Sequence, residues 1–173
     1  ILVFCYAEGY FNGKSVSAGN MQSVCDMNMA VGAETPLISP YVYVKSDSNL
    51  GAAIIAKGVN SFGSTSSICK RIYVNDASTT RLGTESNSGN LYRYMAIKNM
   101  GSWQSIWCIT AQMPSTVLRE IARYAGVHIY DETNETFYAN KSYVNIHPNH
   151  DPNTLQSRTI NFPVPVNVYD AVT

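Results

Sequence analysis

"ILVFCYAEGYFNGK", residues 1–14, is the stretch on which the fold reading turns. Ile1 to Tyr6 form an unbroken apolar run that meets Glu8 and Gly9 long before the roughly 20 residues a membrane span requires. An apolar run of this length closed by glycine reads as a strand buried on both faces, the kind found in a parallel or mixed sheet covered by helices. A helix should follow, and "SVSAGNMQSVCDMNMAVG" (15–32) supplies one. Met21, Val24, Cys25 and Met29 share a face, Ser17 suits the N-cap and Gly32 suits the stop. This strand-helix opening predicts an α/β domain, a mixed sheet flanked by helices in three layers.

The bulk properties agree with a folded domain and exclude several functions. The chain has 173 residues, 45% of them hydrophobic and only 14% charged, enough for one substantial core and too short for a β/α-barrel of about 250 residues. Twelve Lys and Arg balance twelve Asp and Glu, and without a basic run nothing marks a nucleic-acid or anionic-membrane surface. No basic start or small-residue cleavage site indicates a signal peptide. Lacking an initial methionine, the sequence reads as a piece of a longer protein, which leaves the compartment open. Cys5, Cys25, Cys69 and Cys108 form no CxxC pair and read as small buried hydrophobes, so no zinc-ribbon or thioredoxin chemistry is expected.

Further along, "YVYVK" (41–45) and "KRIYVND" (70–76) are strands by composition, "GAAIIAKG" (51–58) suits strand or helix, and "RLGTE", "LYRYMAIKN" and "SWQSIWCIT" form a meander joined by "SNSGN" and "MGS". "MPSTVLREIARYAG" (113–126) is the clearest helix. Pro114 belongs to its first turn, Val117, Leu118, Ile121, Ala122 and Ala125 make its buried stripe, and Gly126 ends it, leaving Arg119, Glu120 and Arg123 solvated. "VHIY", "TFYAN", "SYVNIH", "SRTINF" and "VNVYD" then read as a β-rich tail.

The order of these parts resembles a known family. Leu82-Gly83-Thr84, the strands Leu91 to Ile97 and Trp103 to Thr110, and the helix terminus Ala125-Gly126-Val127 are similar to the glutamine-amidotransferase-like, trimerisation-type domain that follows the catalytic barrel in bacterial β-galactosidase-like glycoside hydrolases. The opening "VFCYAEGYFNGKSVSAGNMQSVCDMN" is similar to that family's first strand and helix, and "YANKSYVNIH" with "VNVYDAV" resembles the extra C-terminal strands of its relatives. Met100-Gly101-Ser102 stands where the family often shows Gly-Lys-Gly. The resemblance implies a class I glutamine-amidotransferase-like (flavodoxin-like) α/β domain over 1–130, a β-rich extension over 131–173, and an accessory role in carbohydrate metabolism. Its implied partners are the rest of a parent glycoside hydrolase and further copies of itself.

Chemistry is sparse in the residues themselves. No Gly-x-Cys-x-Gly elbow occurs: Cys69 lies between Ile68 and Lys70, Cys108 between Trp107 and Ile109, and Cys5 inside a strand, so an amidotransferase nucleophile is missing. No catalytic residue, cofactor site or metal site is assigned. Glu8 and Tyr10 are the candidate ligand or interface residues, because open α/β sheets bind ligands beyond the carboxyl ends of their strands; a capping role for Glu8 in a solvent loop is the plainer alternative. His147, His150 and Asp151 sit in a proline-bounded turn, a weak metal pattern, and Asn134 and Asn140 head glycosylation triplets by pattern only. The aromatic and acidic stretch 124–147 reads as a strand, a polar turn at 131–135 and a second strand, with Val127, Ile129, Phe137 and Tyr138 packing and His128 facing away. Tyr6, Tyr10, Phe11, Tyr41 and Tyr43 lie near strand ends, where one core does not hold them all; they are material for self-association, while a carbohydrate-binding module would use Glu8 and exposed aromatics among the twelve tyrosines and two tryptophans. The expected function is a non-catalytic accessory or assembly domain. A carbohydrate-binding module and a stand-alone amidotransferase-like hydrolase are the alternatives.

Overall fold

The computed structural model describes residues 1–32, 37–66, 69–88, 91–147 and 157–169. The chain divides into two compact units, Ile1–Ile121 and Ala122–Thr173. In the first, eight strands share one sheet: β1 (Leu2–Cys5), β2 (Met29–Val31), β3 (Tyr41–Val44), β4 (Ser61–Gly63), β5 (Ile72–Val74), β6 (Thr80–Thr84), β7 (Arg93–Asn99) and β8 (Gln104–Cys108). The order is β1-β8-β7-β6-β3-β4, with β5 pairing both β2 and the start of β7. Leu2 to Cys5 run parallel to Ser105 to Cys108; the other pairings are antiparallel.

The helices are short: α1 (Ala18–Cys25), α2 (Asn49–Ala56) and α3 (Ser115–Tyr124). Ser17 caps α1, its Oγ accepting from the Asn20 amide at 3.2 Å, and Asp26 in the left-handed region ends it. Gly32 is therefore no helix stop; it follows β2. The undecided segment 51–58 contributes to α2, capped by Ser48. Gly126, at φ +79°, closes the last helix as expected.

The expected three-layer α/β architecture, and with it the class I glutamine-amidotransferase-like (flavodoxin-like) fold that the resemblance implies, is overturned. Strand accounts for 30% of the described residues and helix for 17%, and the mixed sheet curls into a half-barrel with three short helices. The error lies in the opening run. β1 is an outer strand of the sheet, Leu2 is 54% exposed, and Val3 to Cys5 are half-buried. An apolar run says that a strand packs well, but not that it lies in mid-sheet. Only β1 and β8 pair in parallel, and the meander that supplies the other central strands needs no crossover helices.

Met21, Ile54, Leu82, Met95, Trp107, Ile109 and Val117 are among the fully buried residues of the core, each aliphatic one worth roughly 1.5–3 kcal/mol of burial. On α3 the buried stripe is Val117, Glu120 and Ile121. Leu118, expected inside, is 47% exposed, and Glu120, expected in water, is 5% exposed. Asp76 organises the polar interior. Its carboxylate accepts from the amides of Ser78 (2.9 Å) and Asn28 (3.2 Å), the Ser78 hydroxyl (2.6 Å) and Lys98 Nζ (3.0 Å).

The second unit contains a hairpin of β9 (Thr136–Ala139) and β10 (Val144–His147), with Val144 opposite Ala139 and His147 opposite Thr136. The Tyr130 ring stacks on Phe137 at 5.4 Å and meets Phe162 edge-on at 6.2 Å, and Arg158 pairs with Glu135. "VHIY" is not a strand; Val127 is 56% and Tyr138 67% exposed, contrary to their expected packing. "SRTINF" and the described part of "VNVYD" form no strand either. His128 Nε2 lies 2.6 Å from the Asn161 carbonyl oxygen.

Candidate functional site

The best-formed concavity in the first unit lies on the tyrosine-bearing face of the sheet. β3 alternates, so Tyr41 and Tyr43 project to one side; their rings meet edge-on at 5.3 Å, and the Tyr41 hydroxyl shares a 3.0 Å hydrogen bond with Ser61 Oγ. Tyr94 on β7 completes the aromatic wall of a cavity of about 360 Å³, and Arg71, Glu85, Ser39 and Thr65 supply its polar groups. Ser39 Oγ donates to the Thr65 carbonyl at 3.0 Å. Beside it Ile38 and Cys69 exchange two 2.8 Å backbone hydrogen bonds, which tie the two rim segments together.

Arg71, one residue before β5, is the cation of this site. Its guanidinium carbon lies 4.7 Å from the Tyr92 ring centroid, a cation–π contact worth roughly 0.5–2 kcal/mol. Tyr92 is itself braced by Tyr73 at 4.7 Å and stacked with Tyr94 at 6.5 Å. Gly32 donates its amide to the Arg71 carbonyl at 2.8 Å, and a Cβ at Gly32 would stand 3.2 Å from the Arg71 Cβ and 3.4 Å from its Cδ. The missing side chain at 32 thus leaves room for the arginine stem. Nε of Arg71 is buried and has no hydrogen-bond partner among the described residues. Burial tends to lower the Arg71 pKa, but the Tyr94 and Tyr92 phenols outweigh it and the net shift is upward. Burial pushes the Tyr94 phenol up to about 12 against the pull of Arg71, so it stays protonated at neutral pH.

Glu85 is the carboxylate that lines the cavity, and its oxygens are engaged: Oε1 accepts from the Leu91 amide at 3.3 Å and Oε2 from the Tyr92 amide at 3.0 Å. It fastens the chain into β7. A glycosidase needs two carboxyl groups roughly 5–10 Å apart, and the described lining of this cavity presents one. Nucleophilic chemistry fares no better. Burial pushes all four thiols up, Cys108 to about 12, which disfavours the thiolate. No histidine precedes residue 128, so the first unit holds no imidazole to activate one.

The residues singled out from sequence lie elsewhere. Glu8 is exposed in the turn after β1, not at the cavity, and burial raises its pKa against a hydrogen bond from the Cys5 backbone. Gly9, at φ +74°, brings that turn against α1, where an added Cβ would lie 2.5 Å from Val24 Cγ2. Tyr10 is half-buried against the core, and its carbonyl accepts from Ser17 and Asn20. Of the histidine-rich turn, His150 and Asp151 fall outside the described residues, and no group of three metal-ligating side chains occurs among the described ones. Among these residues no helix is long and apolar enough to cross a membrane. Sequence reasoning noticed Tyr41 and Tyr43 but missed Arg71; the available signal was a cation opening the alternating strand "KRIYV" opposite so many tyrosines.

No protein-family model, curated protein or solved structure matches the chain.

Proposed function

We propose that the first unit is a non-catalytic binding module that takes a sugar in the cavity of Tyr41, Tyr43 and Tyr94, serving as an accessory domain of a β-galactosidase-like glycoside hydrolase. The observation that carries this is the lining: three tyrosines and an arginine around about 360 Å³, near the lower end of the range of ligand sites, roughly 300–1,000 Å³. Aromatic rings accept the apolar C–H face of a pyranose, while hydroxyls and a guanidinium meet its rim. With no activated nucleophile and no carboxylate pair among the described lining residues, the same groups suit retention of a ligand better than its conversion. The enzyme context rests on the sequence resemblance alone.

Titrating the chain with methyl β-galactoside and lactose, with backbone chemical shifts as readout, tests the reading. Saturable shifts should centre on Tyr41, Tyr43, Arg71 and Tyr94, and Tyr43→Ala should weaken binding about tenfold. Absence of saturation, or shifts centred on Glu8 and Tyr10, would remove the proposal. Assembly is the second reading, and one feature favours it: β1 is an outer, wholly apolar strand with Leu2 54% exposed, the type of edge that pairs with another chain. Sedimentation velocity over a hundredfold range of concentration should then show association, and a constant monomer value would exclude it for this chain.

A further inference from the structure

We propose that the cavity selects a sugar bearing a carboxylate, of the uronic-acid type, with Arg71 as the group that holds the anion; this rests on the carbohydrate-binding reading above. Arg71 takes part in no ion pair among the described residues: the Tyr92 and Tyr94 phenols meet its guanidinium, and Glu85, the carboxylate on the same wall, is turned to the Leu91 and Tyr92 amides. A buried nitrogen without a partner is rare in native proteins and calls for an explanation, and Nε of Arg71 is such a nitrogen among the described residues. The residue is also set in place before any ligand arrives. The flat surface at Gly32 receives its stem and the Tyr92 ring receives its guanidinium face, so little side-chain freedom is left to lose on binding.

The chemistry of the lining selects among anions. The described lining carries one guanidinium, with no lysine and no second arginine, so a single anionic group at Arg71 is all it can meet. A phosphate dianion would bring a further negative charge beside Glu85 with no second cation among the described lining residues to meet it. Guanidinium and carboxylate are both planar and fit as a fork of two parallel hydrogen bonds. The protonated Tyr94 phenol can donate to the anion without competing for the arginine charge. The ring of the same ligand then rests on Tyr41 and Tyr43.

Calorimetric titration of the full chain with galacturonic acid, its neutral methyl ester and galactose tests this directly. The acid should bind at least about tenfold more tightly than the ester, and the difference should shrink as salt is raised. In Arg71→Gln the acid-to-ester ratio should fall to about one. In Arg71→Lys, which keeps the charge and loses the fork, it should lie between. Unchanged thermal midpoints confirm that both variants fold; if Arg71→Gln does not fold, the ratio in the lysine variant and the salt dependence of the unaltered chain decide. Equal affinities for acid and ester would overturn the anion assignment and leave the sugar site standing. Binding of none of the three probes would overturn both.

Discussion

The two units are held together by different means. Residues 1–121 contain every buried hydrophobic residue described, from Met21 to Ile121, whereas none of the described residues of 122–169 is buried. The second unit relies on the ring cluster of Tyr130, Phe137 and Phe162, on the β9–β10 ladder, and on ion pairs such as Arg158 with Glu135. Exposed ion pairs such as Arg123 with Glu132 are worth about 0–1 kcal/mol each and aromatic pairs about 0.5–1.5, while Arg158 with Glu135 is partly screened from water. Only a set of groups that excludes water can make the loss of one residue expensive, and only the first unit has such a set.

The sharpest way to break this contrast is Trp107→Ala against Phe137→Ala. Trp107 is 1% exposed and its Nε1 donates to the Tyr6 carbonyl at 2.9 Å, so its truncation should cost about 4 kcal/mol in denaturant unfolding. Phe137→Ala should cost about 1 kcal/mol, seen as lost amide protection confined to Thr136–His147. Equal losses at the two sites would mean that the units are one cooperative structure.

Next in size is Asp76. Burial alone would raise its pKa, but the Ser78 hydroxyl, Lys98 and the Ser78 and Asn28 amides hold the carboxyl well below the usual carboxylate range. A depressed pKa in the folded state means that its stabilisation is complete above the unfolded value near 4 and is lost as pH falls from there through the folded value. Asp76→Ala should cost about 3 kcal/mol at pH 7, because it takes the acceptor from the Ser78 and Asn28 amides and leaves Lys98 only its bond to the Asp26 carbonyl. Asp76→Asn should flatten the decline in stability below about pH 4. A variant with an unchanged acid limb would show that the carboxylate is not what anchors this corner.

Local patterns were legible in the sequence; pairings between distant segments were not. β3, β5, β7 and β8 announce themselves by alternation and turn residues, and α1 and α3 by Ser17, Pro114 and Gly126, because those signals depend on neighbours a few residues away. Whether "ILVFCY" is a central or an outer strand depends on what lies beside it, and its partner is residues 105–108. Leu118 and Glu120 exchanged their expected roles for the same reason: Val117 and Ile121 mark the face that meets the core, but which flank of it is covered depends on the distant segments packed there. Glu8 was chosen by a rule for open α/β sheets, and that premise fails for a half-barrel. Arg71 and the three tyrosines come from β3, β7 and the lead into β5, so only the fold brings them together.

The parallel pairing of β1 with β8 also has a kinetic side. Leu2 faces Ser105 and Cys5 faces Cys108, so a strand made early must wait for one made about a hundred residues later, and at about 5–20 residues per second on the ribosome the delay is roughly 5 to 20 s. Contacts this distant in sequence close late and slow the search for the native state. Throughout that interval "ILVFCY", with no charge and no proline, is an apolar strand without its partner, the kind of segment that promotes aggregation while the rest of the sheet assembles.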